Sequence, residues 1–237
     1  MDKQQFLVIL GTAHLSTTPG KIAPDKSLRE CEYSRDRIDG ISIKLRALGF
    51  NVAVDYPDLL PNAEIRSASP KTEQSRELAY RCKVVNDLCS KYGTRNCIYV
   101  SVHVDAAGNG SQWMTAGGWS AYTSHGVTKA DKLAECLYEA AELHLKGYAS
   151  SMLNKMKNGV YSKAQRPIRS DSTDGDRDME ANYYVLTHTA CPAVLTENLF
   201  QDNKADVAFL LSDEGKEIIE NIHVDGISMY WRLISQL

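Results

Sequence analysis

Two histidines and two glutamates stand where an α/β chain would assemble a hydrolytic centre. His14 follows the apolar run 5–11, His103 ends the run 96–103, and Glu197 ends the run 192–197. Glu30 lies at the start of a helical stretch, 28–48. In open α/β sheets the ligand crevice lies outside the carboxyl ends of the strands, so polar residues at three strand ends would meet on one edge. A helix leaving that edge begins beside it, and its dipole favours an ionised carboxylate in the first turn. Two imidazoles and one carboxylate form a set that holds a catalytic zinc ion while leaving a position for water. Zinc lowers the pKa of that water to about 7, and a further carboxylate is then needed to carry its proton. His14, Glu30 and His103 are thus candidate ligands of one Zn2+ ion, and Glu197 is the candidate base. The spacing alone is only suggestive, because His14 and Glu30 do not form a compact H-E-x-x-H helix.

The elements that must position these groups follow from local pattern. Gln5 to Gly11 and 50–54 read as short buried strands, and 96–103 as a third. Apolar residues at Tyr33, Ile38, Ile41, Leu45 and Leu48 recur at helical spacing, with Gly49 as the stop signal. Leu78, Cys82, Val85 and Cys89 line one face of a second helix of about 20 residues. Residues 118–123 read as a strand paired antiparallel, because only a short loop precedes it. Residues 129–145 read as a helix, 182–186 and 192–196 as two further strands, and 204–233 as a last helix with a break near Ser212. Strands alternate with helices throughout, which predicts one α/β domain over 1–237. Its sheet is twisted, mixed and mostly parallel, with about six strands flanked by helices.

Composition narrows the class without naming it. With 27 Lys and Arg against 30 Asp and Glu, the net charge of −3 gives no basic stripe for nucleic acid. No run approaches the roughly 18 apolar residues that span a bilayer. The first residues carry too short an apolar run for a secretory signal, so the chain is expected to be made in the cytoplasm without a recognisable signal peptide, or else to be already processed. None of the six cysteines forms a C-x-x-C pair, and all fall in helices or strands. They read as reduced, buried thiols.

At these residues the chain resembles the zinc-dependent N-acetylmuramoyl-L-alanine amidases of type 3, in order along most of its length. VILGTAH carries His14, LRECEYSR carries Glu30, and ALGFNV ends the first helix. LAYRCKVVN (Leu78 to Asn86), SVHVDA around His103 and PAVLTENLFQDN around Glu197 match further family segments, and the TPGK loop from Thr18 resembles phage-type and Bacteroides-type members. The resemblance implies a single-domain enzyme that hydrolyses the amide between N-acetylmuramic acid and L-alanine of peptidoglycan, in an endolysin-like or remodelling role. It implies Zn2+ on His14, Glu30 and His103 with Glu197 as base, a muramyl-peptide substrate, a monomer, and action at the cell wall or periplasm after release or export. Two positions depart from the pattern. Ala13 replaces a Gly before the first histidine, so the turn needs negative φ or Gly11, and Asn198 replaces a Gly after the catalytic glutamate. Glu32 competes with Glu30 as ligand, but about 200° of helix rotation separates them. Rival readings are a zinc peptidase cutting within the stem peptide and a non-catalytic wall-binding relative.

Several residues carry both a functional and a plain reading. His188, Asn198 and Trp119 are candidate substrate contacts, although a Trp beside a strand commonly packs in the core; the same choice holds for Trp113. His125 and His223 read as surface residues and His144 as a helix flank. Residues 146–181 read as an irregular insertion that borders the cleft, with a basic stretch at 155–169, or as an inert surface loop.

Overall fold

The computed structural model describes residues 2–148, 167–173 and 175–236. The chain runs β1 (Leu7–Thr12), α1 (Glu30–Ala47), β2 (Asn51–Val54), α2 (Pro70–Tyr92), β3 (Cys97–Asp105), β4 (Ser120–Thr123), α3 (Ala130–His144), β5 (Met179–Glu180), α4 (Tyr184–Thr187), β6 (Ala193–Phe200), α5 (Lys204–Leu211) and α6 (Asp213–Ser235). The six-stranded sheet has the order β2-β1-β3-β6-β4-β5. β2, β1, β3 and β6 are parallel, β4 runs antiparallel to β6, and β5 follows β4.

Period-two alternation divides the central strands between two cores. Val8, Leu10, Val100, Val102 and Val194 pack with α1, α3 and α6, while Leu7, Ile9, Tyr99, Ala193 and Leu195 pack with α2 and α4. By the same parity His103 and Glu197 lie on the α2 face, where they pair in register. The carboxyl edge of the parallel strands therefore opens toward α2 and α4, with the start of α1 reaching over it. All six cysteines are buried and free of disulfides, although Cys191 lies in the bend before β6 and not within an element. Among the described residues no helix is long and apolar enough to cross a membrane. Of the insertion, 149–166 and residue 174 lie outside the described residues, as does most of the basic stretch.

Two expectations need correction. Residues 182–186 form no strand. β5 is only Met179–Glu180, paired with Tyr122 and Thr123 of the short β4. The chain then closes the single turn α4, with the His188 amide donating to the Tyr184 carbonyl at 3.0 Å, and this turn buries the adjacent Val185 and Leu186 together. The predicted break in the last helix is real: Ser212 is extended, and its hydroxyl caps α6 by accepting from the Gly215 amide.

The second correction is His223, which is fully buried. Nδ1 donates to the Ile219 carbonyl at 2.7 Å, leaving Nε2 to accept from the Thr196 hydroxyl at 2.9 Å. A lone histidine in the last helix reads as a surface residue, but this face of α6 turns toward Thr196 of β6. Burial, partly offset by the Ile219 bond, pulls the imidazole down to about 4 from 6.5. The unfolded state therefore binds more protons, so this contribution is complete above pH 6.5 and is lost as pH falls toward 4. It amounts to roughly 3 kcal/mol over that window. Urea unfolding of His223→Gln should show the stability difference between pH 7 and pH 4 narrowed by about that amount relative to the unmodified protein. An unchanged difference would mean that the imidazole titrates alike in the folded and unfolded chain.

Candidate active site

The site begins with a carboxylate out of water. Glu30 is 1% exposed and opens α1. Its Oε1 lies 3.0 Å from His103 Nδ1, 3.3 Å from the Val104 amide and 3.5 Å from His14 Nε2. Its Oε2 accepts from Gln201 Nε2 at 3.2 Å and lies 3.8 Å from Lys21 Nζ. Burial alone would raise its pKa, but His14, His103 and Lys21 together hold it down at about 2. Glu32 is largely exposed and faces Arg29, so the two glutamates divide as the helix rotation requires.

The histidines meet edge to face, with ring centroids 5.2 Å apart. One ligand-type atom from each of His14, Glu30 and His103 falls within a 4.8 Å set. Burial, with His103, Lys21 and Arg81 adding to it, draws the His14 imidazole down to about 3 against the pull of Glu30. It is therefore neutral and keeps a lone pair. Two neutral-capable imidazoles with an ionised carboxylate match the donor set of a catalytic zinc site, so these residues fit the metal. Glu197 stands in register beside His103. Its Oε2 is enclosed without a hydrogen-bond partner. Burial, then Asp105 and Glu30, pushes its pKa well up.

Local backbone explains these placements. The left-handed residue in the β1 turn is His14 itself (φ 42°), not its neighbours. Its carbonyl accepts from Arg35 at 3.0 Å and from Arg81 at 3.4 Å, which holds the strained turn. Gly11 serves another need, since a Cβ there would lie 2.2 Å from the Tyr99 hydroxyl. Past Glu197, β6 carries one extra residue against β3, and the left-handed position of this bulge is Leu199 (φ 64°), not Asn198.

The proposed substrate contacts are redistributed. Asn198 and Trp119 are both fully buried. Trp119 Nε1 donates to Asn198 Oδ1 at 2.9 Å, and Asn198 Nδ2 donates to the His103 carbonyl at 2.9 Å. They brace the ligand strand from behind and cannot touch a substrate. His188 is exposed and stacks on Tyr184 beside the cleft. His125 is a surface residue facing Glu180, and His144 flanks its helix against Asp225.

The cavity over the site holds about 300 Å³ and is lined by Leu78, Tyr184 and Leu195 and by the charged Lys21 and Asp105. Beneath it lies a network that reasoning from sequence did not assign. Arg81, 2% exposed, donates to both Asp55 oxygens at 2.9 Å, to Glu77 at 2.8 Å and to the Thr12 hydroxyl at 2.6 Å. The only available signal was its place in the LAYRCKVVN segment. Gln201, which fixes Glu30, similarly sits inside PAVLTENLFQDN.

A family model described as N-acetylmuramoyl-L-alanine amidase matches residues 8–229. The chain belongs to this family. An 85-residue stretch is 32% identical to the endolysin of Bacillus phage SPP1, covering 36% of this chain and 31% of the endolysin. That match therefore spans about a third of the relative's length. In fold, the chain resembles the CwlD amidase of Clostridioides difficile solved with the GerS lipoprotein (TM-score 0.68, 17% identity, 96% of this chain and 99% of that one). It also resembles an N-acetylmuramoyl-L-alanine amidase of Clostridium difficile 630 (TM-score 0.69, 16% identity, 96% and 97%). At 16–17% identity these likenesses show the fold alone, a mostly parallel six-stranded sheet flanked by helices.

Breaking the Arg81 network tests how the chain holds its first histidine. Arg81→Met leaves Asp55 and Glu77 buried without a counter-charge, which costs about 3–5 kcal/mol. Urea unfolding should report that loss. A change below about 1 kcal/mol would mean that water already reaches these carboxylates.

Proposed function

We propose that the protein hydrolyses the amide between the lactyl group of N-acetylmuramic acid and L-alanine of the peptidoglycan stem peptide. It would do so as a single catalytic domain, a monomer, acting at the cell wall. The observation that carries this reading is the convergence of His14, Glu30 and His103 within one 4.8 Å set, beside a Glu197 oxygen that is enclosed and unpartnered. Family membership supplies the bond, and the residues supply the means to cut it.

His14, Glu30 and His103 would hold Zn2+, which when bound polarises a carbonyl and acidifies water. Glu197 takes the proton of the attacking water and returns it to the departing alanine nitrogen, since an amide cannot expel an unprotonated amine. Its raised pKa suits it to hold a proton between those two steps. Glu30, held ionised, remains a ligand and takes no part in the transfer. Lys21 at the cleft lip offsets the concentration of negative charge from Glu30, Asp105 and Glu197. The enclosed setting strengthens each of these interactions relative to water.

Hydrolysis of purified muropeptides, with zinc measured on the same samples, tests both assignments. Glu197→Gln should keep bound zinc and lose activity by about 10²–10⁴-fold. His103→Ala should lose the metal. The unmodified protein should expose a new amino group on L-alanine and leave the lactyl carboxylate on muramic acid. Fragments cut within the stem peptide would favour a peptidase, and full activity in Glu197→Gln would remove that residue from the mechanism.

A further inference from the structure

The α2-side wall of the cleft carries aromatic surface that neither the metal set nor Glu197 explains. Tyr183 and Tyr184 line the cavity and remain 40% and 38% exposed. Tyr184 lies flat against the His188 ring, with centroids 3.8 Å apart and planes within 6°. Tyr183 leans on Tyr122 at 5.3 Å. Aromatic area left in water at the mouth of a pocket forgoes burial that packing would otherwise give, and such surface marks ligand sites.

The platform is also rigid, which a loose surface cluster would not need. Asn86 Nδ2 donates to the His188 carbonyl at 2.9 Å, and Asn86 Oδ1 accepts from the Ala190 amide at 2.8 Å. His188 Nδ1 lies 3.1 Å from the Tyr184 carbonyl, closing the turn on itself. Asn86 thus fixes the segment after α4 from the side of α2. One face of Tyr184 is covered by His188 and the other is left for a partner.

Charged groups line the same cavity: Lys21, and Asp105, which pairs with Arg169 at 3.2 Å. Charged groups suit the carboxylates and amines of a peptide, whereas an uncharged aromatic face suits the C–H face of a sugar ring. The cavity shared with Glu197 is only about 300 Å³, so a ring joined next to the scissile amide must touch one of its walls. We propose that Tyr184, backed by His188 and flanked by Tyr183, is a glycan subsite that takes the pyranose face of an N-acetylated amino sugar. The peptide then lies along the charged groups. This deepens the amidase reading and rests on it for the orientation of the substrate.

Two measurements separate the subsite from that reading. In an NMR titration with the peptide-free disaccharide of N-acetylglucosamine and N-acetylmuramic acid, the ring signals of Tyr184 and His188 should shift. Tyr184→Ala should weaken binding about five- to tenfold, and Tyr184→Phe should retain it. In hydrolysis, the preference in KM for a disaccharide-peptide over the same lactyl-peptide without sugar should fall by a similar factor in Tyr184→Ala. Absence of ring shifts, or an equal loss on both substrates, overturns the subsite. If the disaccharide binds as described but no L-alanine amine is released, the amidase reading fails while the subsite stands.

Discussion

An ionised carboxylate at 1% exposure is the constraint around which this edge of the sheet is organised. Glu30 cannot be stable there unless donors from several elements surround it. They come from the β1 turn, from β3, from the Gln201 position after β6, and from Lys21 in the loop before α1. Each partner belongs to a different segment, so satisfying one carboxylate fixes the relative positions of three strand ends and a helix start. The arrangement that stabilises the charge also brings two imidazoles onto the same oxygen. Structural demand and a metal-binding geometry coincide at this point.

A second buried charge of opposite sign supports the first from below. Arg81 is matched by Asp55 and Glu77, and Tyr99 adds a hydroxyl to Asp55 at 2.9 Å. Burial disfavours the guanidinium, but these carboxylates outweigh that effect and keep it charged. Its remaining donor reaches the His14 carbonyl, which Arg35 also binds. Two cations on one carbonyl hold a histidine at positive φ where a glycine would be expected. The strain at His14 is therefore maintained by charge networks, not by the turn's own sequence.

Residues whose roles depend on strand parity and strand ends were legible in the sequence. His14, His103 and Glu197 close apolar runs, and a parallel sheet carries such residues to one edge whatever the loops do. Glu30 was legible through the helix dipole and the 100° step that turns Glu32 away. What escaped were interactions between distant segments. Nothing local distinguishes Trp119 on the cleft from Trp119 bonded to Asn198, because the bulge that turns Asn198 inward exists only when β3 and β6 pair. His223 looked like solvent-facing helix for the same reason, since its partner Thr196 is 27 residues away. Residues 182–186 have the composition of a strand but no neighbour with which to form one.

The two cleft glutamates show how one environment can assign opposite roles to the same side chain. Glu30 has donors on both oxygens and stays ionised, whereas Glu197 has one oxygen enclosed with no partner and is pushed toward its neutral form. Part of that push comes from Glu30 and Asp105, so the state of one carboxylate depends on the charge around the other. Any cation gathered by His14, Glu30 and His103 would weaken that repulsion and ease Glu197 toward the ionised form a base requires. Readiness of the base would then follow occupancy of the ligand set without any movement of the chain. A divergent pair of carboxyl groups in one cleft is what acid–base hydrolysis needs, and here it follows from the number of donors each receives.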